Sequence, residues 1–113
     1  RCRRADASKC GQTLFSGKAL CSGCHAPPLY TTPGWNLVPA SAIGIDSFQA
    51  DRSPNHGYRP PPLRGVQTRM KGGFFHDGRF ATLNDVVNHF DNHFALALTD
   101  GEKSDLVEFL KTL

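Results

Sequence analysis

Cys21-Ser22-Gly23-Cys24-His25 places two thiols and an imidazole within five residues. Thiols separated by two residues can both reach one edge of a haem and add to its two vinyl groups, leaving the ring held by two thioether bonds. The imidazole that follows then sits under the iron, for which its nitrogen is a good ligand. Its other ring nitrogen ordinarily donates to a backbone carbonyl that fixes the ring. Pro27 or Pro28, just downstream, is the expected source of that carbonyl. With 4 Cys and 5 His in 113 residues, chance would produce such a pentapeptide in roughly one of two hundred shuffled chains.

Two other chemistries use cysteine pairs. Structural zinc takes four ligands, usually as two matched pairs, and the remaining cysteines, Cys2 and Cys10, are not spaced as a second pair. A thioredoxin-like redox pair belongs in a βαβ pattern, and none surrounds Cys21 and Cys24. The expected cofactor is therefore one covalent haem c on Cys21 and Cys24, with His25 on the iron. In an oxidising compartment Cys2 and Cys10 could form a disulfide; the alternative is two unrelated thiols.

The composition fits a chain that needs something to fill its middle. Hydrophobic residues make up 39%, and 8 Pro and 11 Gly announce extensive loop. A small chain of this kind struggles to build a core from side chains alone, and a haem supplies a large flat apolar body. The formal charge of +3 is too weak to argue for nucleic acid. Arg59, Arg64, Arg69 and Arg79 are candidate partners for the haem propionates, Arg64 foremost; the plainer reading of each is a solvated surface arginine. No apolar run is long enough to span a bilayer. The opening Arg1-Cys2-Arg3-Arg4 is not followed by an apolar core, so a mature or trimmed product is expected. Covalent haem attachment is extracytoplasmic chemistry, which predicts a periplasmic or equivalent location. The length fits one domain, 1–113.

Three helices should position the motif. Residues 5–18 form the first, with Gly11, Leu14 and Phe15 on one face and Gly17 available to close it. Residues 82–92 form the second, opened by Thr82 with Asp85 at the place of a capping box and carrying Val86, Val87 and Phe90. Residues 99–113 form the third, opened by Thr99 and Glu102, with Leu106, Phe109, Leu110 and Leu113 as its apolar stripe. The proline-rich stretch 26–63 should be irregular, with a helical turn near Ser47–Arg52. Such a long loop makes sense in a compact domain that wraps a ligand.

This order of elements resembles the class I cytochromes c, an all-α fold in which the N- and C-terminal helices cross around one haem. The second half is more particular. Tyr58-Arg59-Pro60-Pro61-Pro62-Leu63-Arg64-Gly65-Val66, then Gly72-Gly73-Phe74-Phe75-His76-Asp77-Gly78-Arg79-Phe80-Ala81-Thr82-Leu83, then Asp85-Val86-Val87 and Leu98-Thr99-Asp100, resemble the C-terminal haem domain of the bacterial dihaem cytochrome c peroxidase/MauG superfamily. The resemblance covers about residues 10–113. Only one haem motif is present, so the second haem domain of that superfamily is missing.

The opposite face of the iron decides function. A strong sixth ligand makes an electron carrier, whereas an open position permits peroxide or gas chemistry. The candidates are Met70, His56, His76, His89 and His93. The resemblance places the ligand, a Met or Tyr in that superfamily, on the helix after Thr82-Leu83. Counting forward from His76 gives Phe90, which cannot bind iron and would instead pack on the ring. Counting back from Leu98-Thr99-Asp100 gives His89, the favoured ligand. His93 lies on the same face if the helix continues, and Met70 is the only methionine.

Two classes of function follow. The first is an electron carrier between redox proteins such as a dehydrogenase, an oxidase or another cytochrome, free or as a subunit of a larger complex, docking at the ring edge near Ala26–Tyr30. The second is a haem enzyme of peroxidase type, with His76, Asp77 and Arg79 beside an accessible iron; a haem-based gas or redox sensor is a third possibility.

Overall fold

The computed structural model describes residues 6–32, 37–69, 73–74 and 78–113. Three α-helices carry it: α1 (Ala7–Ser16), α2 (Leu83–Phe94) and α3 (Asp100–Lys111). Short 3-10 turns lie at Cys21–Gly23, Ala40–Ile43, Ala50–Arg52 and Val66–Arg69. The described residues hold no strand, only the isolated bridges Val38–Tyr58 and Phe74–Phe80. The fold is all-α, as expected, and compatible with the class I cytochrome c arrangement.

Each helix begins where a side chain satisfies its first free N–H groups. The Asp6 carboxylate accepts the Lys9 N–H at 3.2 Å, so α1 opens two residues later than residue 5. Gly17 closes α1, donating its N–H to Leu14 and Thr13. Both expected capping boxes are complete: Thr82 with Asp85, and Thr99 with Glu102. α2 runs to Phe94 rather than stopping at 92, because the turn that ends it forms at Ala95, with φ 51°. α3 stops at Lys111, where Thr112 caps it.

α1 and α3 pack as closely as backbones permit. A Cβ on Gly11 would lie 2.0 Å from the Asp105 carbonyl oxygen and 2.6 Å from Phe109 Cβ. Glycine at that position is what lets the two helices touch, and the contact holds the core. Phe15 of α1 meets Phe109 of α3 at 5.3 Å and Tyr30 at 5.7 Å between ring centroids. Around this trio lie Ala19, Val66, Leu83, Val87, Leu98, Leu106 and Leu110. Cys10 is fully buried in α1 and disulfide-bonded; the expected pairing with Cys2 falls on a residue outside those described.

Candidate haem site

The site begins where α1 ends. Gly17 and Ala19 turn the chain, and Leu20 enters the left-handed region at φ 59°. One 3-10 turn then winds Cys21 to Gly23, and the Cys24 and His25 N–H groups both donate to the Cys21 carbonyl, at 3.3 and 2.9 Å. The tight turn gathers both sulfurs and the imidazole into one short stretch. Cys21 is half-buried, while Cys24 is exposed.

His25 is half-buried, and its Nδ1 donates to the Tyr30 carbonyl at 2.9 Å. This corrects the expectation of Pro27 or Pro28. The Tyr30 N–H donates to the Ala26 carbonyl at 2.8 Å, and Tyr30 itself sits at φ 58°, a combination that turns its own carbonyl back toward the histidine. That carbonyl also accepts the Leu63 N–H, at 3.3 Å. The bond leaves Nε2 of His25 as the nitrogen for a metal. Burial lowers the pKa of His25, with the Tyr30 and Pro61 carbonyls pulling the other way; a neutral imidazole is the form that ligates. Burial pushes the Cys21 thiol up to about 11, with Cys24 nearby adding a little. Redox-active pairs instead depress a thiol. Two free cysteines beside an imidazole whose Nδ1 is satisfied by a carbonyl fit covalent haem.

Arg64 lies against this turn. Its Nε donates to the Pro28 carbonyl at 2.9 Å, and its guanidinium stands 5.5 Å from the centre of the Tyr30 ring. Of the other candidate arginines, Arg79 pairs with Asp46, and Arg59 is exposed.

The α2 candidates occupy a different setting. The rings of His89 and His93 are parallel, 6.0 Å apart. Nε2 of His89 donates to the Ile43 carbonyl at 2.7 Å, and Nε2 of His93 to the Ala42 carbonyl at 3.0 Å. Phe90 is half-buried and stacks on the exposed Phe94 at 5.9 Å, and Phe80 lies 5.1 Å from His89. His56 is exposed on the loop. Met70 and His76 are outside the described residues. Reading the sequence missed Tyr30, Ala42, Ile43 and Gly44, which act through backbone groups or the absence of a side chain and so leave no side-chain signal. Among the described residues, no three His, Cys, Asp or Glu side chains converge as a zinc site needs. Two clefts run along α2 and α3, past Asn84, Val107 and Lys111, and neither is lined by Cys21, Cys24 or His25.

Over 96% of its length the chain is 30% identical to the methylamine utilization protein MauG of Methylorubrum extorquens, spanning 35% of that protein. Over 91% of its length it is 28% identical to the cytochrome-c peroxidase IdrP1 of Denitromonas iodatirespirans, spanning 39% of it. These similarities support the cytochrome c peroxidase/MauG superfamily and a haem protein. The chain thus spans less than half the length of these curated relatives. No family model and no solved structure matches it.

Proposed function

We propose that the chain is a c-type cytochrome module carrying one haem on Cys21 and Cys24, with His25 as proximal iron ligand, and that it passes single electrons between extracytoplasmic redox proteins. The observation that carries the reading is the His25–Tyr30 bond at 2.9 Å, which orients an imidazole immediately after two reduced thiols. When bound, haem supplies a one-electron iron couple. The protein's part is ligation, orientation and burial. Cys21 and Cys24 fix the ring edge, the Tyr30 carbonyl aims His25 while burial favours its neutral form, and Arg64 offers positive charge for a propionate. Phe90 offers a ring to pack on the macrocycle. Leu29, 62% exposed beside the motif, provides an apolar contact for a transient partner at the ring edge.

A second reading, a haem of peroxidase type with an accessible iron, draws on the name of the cytochrome-c peroxidase relative and on the occupied Nε2 atoms of His89 and His93. A reduced-minus-oxidised visible spectrum with and without carbon monoxide or peroxide tests both. A low-spin spectrum unchanged by either reagent is the expected result. A high-spin ferric spectrum with ready carbon monoxide and peroxide binding would replace electron transfer by the second reading.

A further inference from the structure

His89 and His93 stand one helical turn apart, and both reach the same 3-10 turn. Residues 37–58 form a lobe of their own on which that turn sits. Its neck is the bridge between Val38 and Tyr58, with N–H to carbonyl distances of 2.7 and 2.8 Å in the two directions. Inside it, the Tyr58 hydroxyl donates to the Asp46 carbonyl at 3.0 Å and accepts the Ala50 N–H at 3.3 Å. Just beyond the neck, the Thr31 hydroxyl donates to the Pro60 carbonyl, next to the Tyr30 that holds His25. One end of the lobe is therefore tied to the proximal side of the site and the other to α2.

The α2 attachment has three parts. Ala42 and Ile43 end the 3-10 turn Ala40–Ile43, where carbonyls lack partners within the helix. The two imidazoles supply them, at 2.7 and 3.0 Å. Gly44 then takes φ 69°, and a Cβ there would lie 2.5 Å from Nδ1 of His93; only glycine lets the loop close on the ring. A nitrogen that donates a proton to a carbonyl has no lone pair for iron, so Nε2 of each histidine has two mutually exclusive uses.

We propose that His89 and His93 form a two-point clamp that docks the 37–58 lobe on α2, and that in the clamped state they are positioning residues and not iron ligands. On the reading above, which this deepens, α2 lies at the open side of the haem, and the clamp sets how closely the lobe covers that side. A low-spin iron would then take its sixth ligand from a group other than these two Nε2 atoms.

Glutamine tests the proposal because its amide nitrogen can donate to the same carbonyl but does not replace imidazole on iron. In the haem-loaded protein, His89→Ala and His93→Ala should speed amide hydrogen exchange across residues 40–53 by roughly tenfold, the scale of one lost hydrogen bond. His89→Gln and His93→Gln should exchange as the parent does and keep its ferric visible spectrum. Gly44→Ala, with both histidines intact, should open the lobe as the Ala variants do. Unchanged exchange in the Ala variants would overturn the clamp, as would fast exchange in the Gln variants. A low-spin to high-spin change in either Gln variant would make that histidine an iron ligand and also overturn it. Exchange in the lobe does not depend on what the iron does, so failure of the electron-transfer reading shows in the carbon monoxide experiment and not in this one.

Discussion

Tyr30 serves His25 twice. Its carbonyl accepts the Nδ1 proton at 2.9 Å, and its ring stands in the core, 5.7 Å from Phe15 and 6.1 Å from Phe109. The orientation of the His25 imidazole is thereby tied to the packing of α1 on α3. Core stability and haem ligation should fail together.

Phe15→Ala checks that link. Phe15 is 2% exposed, and truncating a buried Phe costs about 3–5 kcal/mol. Urea unfolding of the haem-loaded protein should show a loss of that size, and the visible spectrum should report disturbed ligation at denaturant concentrations the parent tolerates. Phe94→Ala, at a site 47% exposed, should stay within about 0.5 kcal/mol of the parent.

Gly11→Ala tests the helix crossing directly. The new methyl group would meet the Asp105 carbonyl at 2.0 Å, a backbone group that cannot swing aside as a flexible side chain could. Overpacking costs about 1–3 kcal/mol and sometimes more, so this single methyl should lower the unfolding midpoint clearly. An unchanged midpoint would mean that α1 and α3 do not pack this tightly.

The two cysteines should contribute separably. Cys21→Ala and Cys24→Ala should each keep one thioether, so haem stays with the chain on a denaturing gel and the α band moves to longer wavelength as one vinyl group is regained. The double variant should release haem on the gel. Covalent haem retained in the double variant would exclude these two as the attachment points.

Acid should loosen the contacts of α3 with α2 and with the turn that follows α1. The Leu98 N–H, at 2.9 Å from its carboxylate, holds the pKa of Asp91 below the usual value, and Lys103 at 3.1 Å adds to the effect. Lys18, 2.7 Å away, and the Thr99 N–H do the same for Glu102. Both groups are depressed on folding, so their stabilisation is fully present above the ordinary carboxylate range near pH 4 and is lost as pH falls through the lower folded values. Unfolding free energy followed from about pH 6 to pH 2 should decline over that window, and Asp91→Asn with Glu102→Gln should flatten the decline.

Local chemistry was legible from residue order. The two capping boxes are four-residue signals, and both opened helices where expected. Gly11 and Phe15 fell on one face because period alone sets that. The helix ends drifted by up to two residues, because the Asp6 carboxylate caps α1 and the left-handed turn at Ala95, which residue type does not announce, ends α2. The 3-10 turns at Ala40–Ile43 and Val66–Arg69 carried no periodic signal at all.

By itself the sequence determined which atoms could hold a cofactor: Cys21, Cys24 and His25 are neighbours along the chain, so their proximity needs no fold. It also named His89 and His93 as residues with a nitrogen to offer. Only the tertiary structure decided where those nitrogens go. Their acceptors lie 46 and 51 residues away in the chain, on carbonyls that every residue possesses and that no residue type reveals. The same holds for the Tyr30 carbonyl, which reaches His25 only because the 26–30 turn and the aromatic core put it there.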